Sequence, residues 1–343
     1  MYDVIIAGGG PAGATAGIIL AERGFSVLIV ERCKLPRYKS CSGMIIKKSV
    51  DLIQNIYSKE IPDYVKCAPA DNRGMIFTND KGEQYKFEQK GFNVWRSSFD
   101  NWLLEQAIEK GAKVVDETSA INCEDNGDFI SAVFKGKLSK SETAKYFIDC
   151  SGATGSLKHS VFGIEKDYII TYQAFYNGSI YLDPHYFYAY LQPQFSRYDA
   201  WFNIKDNMLV FGVASKDVTD IQICYNNFIN YMKDNHGLKI FDKVKEEKWI
   251  MPRIRPDFNI NYGKGRLLSA GESAGFLNPM GEGISCAIES GCSVAKAIAD
   301  NFNSSENVLP CYREYAKDVF AYMKRQWHLV GLMSERFENM RNI

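Results

Sequence analysis

Asp3-Val4-Ile5-Ile6-Ala7-Gly8-Gly9-Gly10-Pro11-Ala12-Gly13 begins as a continuous apolar run of strand length and breaks on a glycine-rich turn. From Ala14 to Arg23 the residues favour a helix, Gly24 ends it, and Phe25-Ser26-Val27-Leu28-Ile29-Val30 makes a second buried strand. Two strands buried on both faces and joined by a helix imply a parallel sheet. Gly8-x-Gly10-x-x-Gly13 keeps the turn tight and lets the backbone approach a pyrophosphate, whose charge sits on the helix N-terminus. Glu31 closes the second strand about 20 residues on, where an acid takes the ribose hydroxyls of an adenosine half and disfavours a 2′-phosphate. Strand, helix and acid together point to dinucleotide binding; the alternative is a glycine turn that serves packing alone. NAD and FAD share this pattern, so later segments must decide between them.

The chain of 343 residues is long enough for two interleaved domains. Its 41 Lys+Arg balance 41 Asp+Glu, which argues against nucleic acid as the main partner. No apolar run approaches the ~20 residues of a membrane-spanning helix. The start Met1-Tyr2-Asp3 carries no basic leader, so a cytoplasmic protein is expected. Nine cysteines are an odd number without paired short spacing, which predicts small buried hydrophobes rather than a disulfide framework or a metal site. His159, His185, His236 and His328 lie outside every motif, and no hydrolytic triad is indicated.

Further along, the pattern predicts a helix around Ile45–Ile56 and a hairpin of Gly74–Thr78 with Gln84–Phe87. A helix from Ser98 to Lys110, a strand at Lys113–Val115 and a hairpin at Asn126-Gly127 follow. From Tyr172 to Phe202, 12 of 31 residues are aromatic, which reads as antiparallel strands of a second domain. A helix at Ile221–Asp234, a strand near Lys248–Met251 and a small-residue helix at Ser285–Ala299 come next. The close carries Tyr312, Tyr315, Val319, Tyr322, Val330, Met333, Phe337 and Met340 at helical steps, a long amphipathic helix or helix pair. That stripe reads as core, with docking onto a lipid surface the alternative.

Three segments carry a family resemblance: Val94-x-Arg96-x-x-Phe99-Asp100-x-x-Leu103, Ile148-Asp149-Cys150-Ser151-Gly152-Ala153-Thr154-Gly155-Ser156, and the run from Leu268 to Ile284 containing Gly271-Glu272 and Asn278-Pro279-Met280-Gly281-Glu282-Gly283. In that order the chain resembles the FAD-containing reductases and hydroxylases with the aromatic-hydroxylase fold, and within them the geranylgeranyl reductase family. The resemblance implies FAD as cofactor, held by Gly8, Gly10, Ala12, Gly13, Glu31 and Arg32 at the adenosine end. It places Arg96 beside the phosphates and adds Ala120. Glu272, where the family has Asp, would hold the ribityl chain together with Gly271. Gly281, Gly283 and Ile284 would face the pyrimidine side, and Cys41, Ser42 and Gly43 the isoalloxazine. Cys41 is either a small packing residue or a reactive thiol.

The implied fold class is α/β: a doubly wound parallel-sheet FAD domain with an inserted antiparallel-sheet substrate domain and a helical C-terminus. On this division 1–70, 96–165 and 256–300 form the FAD domain, 71–95 and 166–255 the substrate domain, and 301–343 the C-terminal helices. Tyr186, Tyr188 and Tyr190 alternate and so share one face of a strand. They are either a half-buried sheet face or, with Trp201, one wall of a substrate pocket. The expected function is an FAD-dependent oxidoreductase that reduces C=C bonds of an unsaturated, apolar, isoprenoid-like small molecule by hydride from N5 of the reduced flavin, the partner being an apolar or aromatic small molecule. A flavin monooxygenase acting on an aromatic ring, and a non-catalytic flavin or lipid carrier, are the alternatives. With a single dinucleotide motif, electrons would come from NAD(P)H bound transiently or from a separate reductase or ferredoxin. Peripheral contact with a membrane is the one further interaction left open.

Overall fold

The computed structural model describes residues 1–155, 157–165 and 167–340; Ser156, Lys166, residues 341–343 and the side chain of Met340 lie outside the described residues. One sheet runs in the order Gly263–Lys264, Leu267–Ser269, Ser141–Asp149, Tyr2–Ala7, Val27–Val30, Lys113–Val115. Its strands are parallel from Leu267–Ser269 through Lys113–Val115. Alternation divides its side chains cleanly. Val4, Ile6, Val27, Ile29 and Ile148 pack into the core that holds the helices Pro11–Glu22, Arg96–Glu109 and Ile284–Asp300. Ile5, Leu28, Val30 and Phe147 face the other way, onto Ile130, Ala132 and Phe134. The second face is therefore covered by the antiparallel strands Thr118–Asp125 and Ile130–Gly136 rather than by long helices.

The second sheet also has eight strands, in the order Lys239–Pro252, Tyr168–Ser179, Met208–Ser215, Ala200–Lys205, Tyr186–Tyr190, Lys66–Thr78, Gln84–Val94, Met44–Ile45. All pairings are antiparallel except one: Tyr186–Tyr190 runs parallel to Lys66–Thr78. The edge strand Lys239–Pro252 is far longer than the sequence pattern suggests, because its first half is mostly charged and exposed and so shows no apolar alternation. On one face of this sheet Tyr172, Tyr188, Phe202 and Phe211 pack against Tyr225, Phe228 and Met232 of the helix Val218–His236. Asp217 caps that helix by accepting from Thr219 N at 2.8 Å, and Gly237 ends it at φ +61°.

The C-terminal stripe folds as three helices, Ser305–Tyr315, Lys317–Met333 and Glu335–Met340. The last is fastened to the second sheet: Arg336 donates to Leu191 O at 2.9 Å and to Ser196 O at 2.6 Å, and Asp80 accepts from Ser334 Oγ at 2.8 Å. These bonds hold the Glu335–Met340 helix beside the second sheet.

Candidate functional site

A cavity of about 530 Å³ runs from the Gly8–Ala12 turn to the free face of the second sheet. Its first end follows from the glycines. Gly8 has φ +108°, and a Cβ there would lie 2.3 Å from Cys150 O; a Cβ on Gly13 would lie 2.0 Å from Gly8 O. Only glycine lets the turn and the helix start this close to the neighbouring strands. Gly8, Gly10 and Ala12 line the cavity, whereas Gly13 and Gly271 set packing: a Cβ on Gly271 would lie 2.9 Å from Ala12 Cβ.

Around the turn the charged groups are paired. Glu31 accepts from Gly9 N and Cys33 N, both at 3.0 Å, and from Arg37 Nε at 3.1 Å. Arg37 Nη1 lies 2.8 Å from Asp100 Oδ2, and Asp100 takes a two-pronged bond from Arg96 at 2.7 and 2.8 Å. Burial opposes ionisation of Asp100, but the Arg96 and Arg37 guanidinium groups overcome it and hold its carboxyl below the ordinary range. Lys39 Nζ bonds Glu272 Oε2 at 2.8 Å, and with Arg96 it likewise outweighs burial to keep Glu272 ionised. Sequence reasoning misses Arg37 and Lys39 because they sit in an irregular loop; basic residues six and eight positions past the Glu31 strand end are the only signal.

Arg32, Ala120, Arg96, Glu272 and Cys41 all line this cavity, as do Ser42, Gly281, Gly283 and Ile284. Gly43 lies just behind, at φ +82°, where a Cβ would meet Val94 O at 2.2 Å. Glu282 caps the Ile284–Asp300 helix, accepting from Ser285 N at 2.8 Å, and Asn278 Oδ1 holds the turn before it through Met280 N and Glu282 N at 3.0 Å. Two helix N-termini, at Pro11 and Ile284, thus open on the same space. None of the four histidines lines it, and all nine cysteines are free.

The second end is floored by the sheet face opposite the Val218–His236 helix. Ile169, Thr171, Gln173, Phe187, Trp201 and Ala214 line it, and Trp327 and Phe337 reach it from the C-terminal helices. A Cβ on Gly212 would lie 2.0 Å from Trp201 Cζ2, so the indole rests directly on the glycine backbone. Burial pushes the Asp199 carboxyl up to about 6, with Arg336 the cation that pulls against it. Tyr186, Tyr188 and Tyr190 do not line the cavity. Alternation gives their common face correctly, but that face is the one buried under the Val218–His236 helix. Tyr188 Oη accepts from Asp183 N at 3.0 Å, and Tyr190 Oη lies 3.4 Å from His236 Nε2. The pocket wall on that strand is Phe187, the residue between them.

A flat dinucleotide needs a glycine-tight turn at a helix N-terminus, an acid at the neighbouring strand end, cations near its phosphates and a long slot, and all of these are present. The comparisons agree. The model of the family described as FAD binding domain matches residues 1–326. An uncharacterized protein of Methanosarcina barkeri is 24% identical over 349 residues, covering 96% of this chain and 82% of its own. Among solved structures, a geranylgeranyl bacteriochlorophyll reductase-like protein of Thermoplasma acidophilum superposes with TM-score 0.81 at 19% identity, over 100% of this chain and 88% of the other. CmlS, a flavin-dependent halogenase, gives TM-score 0.77 at 17% identity, over 100% and 68%. At such identities the likeness is one of fold. No helix among the described residues is long and apolar enough to cross a membrane.

Proposed function

The chain belongs to the FAD binding domain family, its cofactor is FAD, and from that premise we propose that it is an oxidoreductase that reduces a C=C bond of an unsaturated, mostly apolar small molecule. The observation that carries the reading is the continuity of one cavity, polar and charge-lined at the glycine turn and mostly apolar over the second sheet. Bound FAD would supply the hydride, the part of the chemistry that the protein's own side chains do not provide.

The protein's share is binding, orientation and exclusion of water. Backbone N–H groups at the Pro11 helix start, with Arg37 and Arg96, would take the pyrophosphate, and Glu31 the adenosine ribose. Glu272, already held by Lys39, would take the ribityl hydroxyls, while the Gly281–Ile284 helix start would face the pyrimidine oxygens. The Cys41–Gly43 loop, anchored by Asn203 Nδ2 on Ser42 O at 3.2 Å, would set the ring's distance from the sheet floor. Trp201, Phe187 and Ile169 then present an apolar surface that displaces water from the bound substrate. Electrons would reach the site from NAD(P)H bound transiently or from a separate reductase.

A second reading, oxygen-dependent attack on an aromatic ring, is favoured by the three tryptophans that line the substrate end, Trp201, Trp249 and Trp327, and by the fold shared with a flavin-dependent halogenase. Reduced protein mixed with candidate substrates separates the two. Anaerobic reoxidation by an alkene supports the reductase; substrate-stimulated oxygen uptake with oxygen incorporated into product supports the monooxygenase and overturns it.

A further inference from the structure

The substrate end holds buried polar atoms that no group among the described residues satisfies. Trp201 Nε1 and Trp327 Nε1 have no hydrogen-bond partner among the described residues, although the two residues are only 9% and 4% exposed. Gln173 is 2% exposed; its amide nitrogen donates to Glu247 Oε1 at 2.6 Å, which fixes the flip and leaves Oε1 without a partner. Asp199 immediately precedes the strand Ala200–Lys205, two residues before Trp201, is half-buried, and forms no ion pair within the described residues. All four residues line the one cavity.

Register places them on a common floor. Gln173 pairs with Gly212, and Gly212 with Trp201, so one row of the sheet runs Gln173, Gly212, Trp201. Because Gly212 has no side chain, the indole lies along that row; Asp199 stands two residues before Trp201, just ahead of the strand, and Trp327 of the Lys317–Met333 helix lines the same space. A buried unpaired donor or acceptor carries a desolvation cost that a ligand removes by bonding it.

We infer that this end recognises a hydroxyl group on an otherwise apolar or aromatic ligand, with the Asp199 carboxylate or Gln173 Oε1 accepting its proton and an indole N–H of Trp201 or Trp327 donating to its oxygen. The inference rests on the reading of this end as the substrate site. A hydroxyl is the small group that both donates and accepts. An ammonium would leave the indole donors unsatisfied, a phosphate or carboxylate would face Asp199, and a plain hydrocarbon would leave both indole N–H groups and Gln173 Oε1 unpaired. Arg336, the cation nearest in effect to Asp199, donates its Nη atoms to the backbone carbonyls of Leu191, Ser196 and Tyr198 and is not among the residues that line the cavity, so it does not turn the site into an anion pocket.

The test is calorimetric titration of FAD-loaded protein with geraniol, geranyl methyl ether, geranylamine and geranyl phosphate, and with 2-naphthol and its methyl ether. The expected result is that at least one alcohol binds about 10-fold or more tightly than its own ether, since one hydrogen bond to a charged group is being removed. Geranylamine and geranyl phosphate bind more weakly than geraniol. The preference for hydroxyl over ether collapses in Asp199→Leu and weakens in Trp201→Phe, with FAD content and far-ultraviolet circular dichroism unchanged in both. Equal affinity of alcohols and ethers, preference for the amine or the phosphate, or failure of both alcohols to bind overturns the inference. A protein that takes up no FAD before the titration counts instead against the flavin reading, so the two failures are distinguishable.

Discussion

The two ends of the cavity are built on opposite principles. At the glycine turn six charged groups are already paired within the protein: Arg37 bridges Glu31 and Asp100, Arg96 grips Asp100, and Lys39 holds Glu272. At the second sheet the polar atoms of Trp201, Trp327 and Gln173 are left open in an apolar setting. A permanent cofactor suits the first arrangement, because a pre-paired network holds its shape during assembly. A transient ligand suits the second, because its own bonds complete the site only while it is bound.

That contrast can be broken at the paired end with the largest effect. Asp100→Ala leaves two buried guanidinium groups without their carboxylate, and the expected loss is about 3–5 kcal/mol in a denaturant midpoint. A loss below about 1 kcal/mol would mean that the network is not structural. Glu31→Ala removes the acceptor of Gly9 N and Cys33 N together with the ribose contact. FAD affinity of the apoprotein should drop roughly 10- to 150-fold, the worth of a charge-assisted bond of ~1.5–3 kcal/mol. Unchanged affinity would place the ribose elsewhere.

At the open end the sign reverses. Asp199 titrates near 6 in the fold against 3.8 when free, so the folded protein holds its proton more tightly than the unfolded chain. Below pH 4 both forms are protonated and nothing is lost; as pH rises toward 6 the unfolded chain ionises first, and stability falls. Asp199→Asn should therefore stabilise the protein by about 1–3 kcal/mol at pH 8, with the gain vanishing by pH 4. Equal midpoints at both pH values would show that the carboxyl is fully solvated. The smallest effect on chemistry is expected of the triple change Tyr186→Phe, Tyr188→Phe and Tyr190→Phe. It costs some stability through the Asp183 and His236 contacts, at about 0.5–1.5 kcal/mol for each bond lost, but leaves turnover and substrate affinity as they were. A loss of substrate binding would return these phenols to the pocket.

The same contrast explains what the sequence can tell. The glycine turn, its helix and Glu31 lie within 30 residues, and their chemistry follows from local spacing, so this end is legible in the amino-acid sequence alone. Arg37 and Lys39 are not, because an irregular loop has no periodicity to mark the direction of a side chain. The substrate floor gathers residues from five strands and two C-terminal helices, and no local pattern brings Gln173, Gly212, Trp201 and Trp327 together. Strand alternation shows that Tyr186, Tyr188 and Tyr190 share a face; which face meets the cavity is decided by the helix Val218–His236, more than 25 residues later in the chain. The parallel pairing of Tyr186–Tyr190 with Lys66–Thr78 is equally a long-range outcome.

The most direct test of the account is calorimetric titration of the apoprotein with FAD, followed by denaturation and chromatography of the released cofactor. One FAD per chain, bound saturably and recovered intact, is the predicted result. No uptake of FAD by folded apoprotein would contradict it.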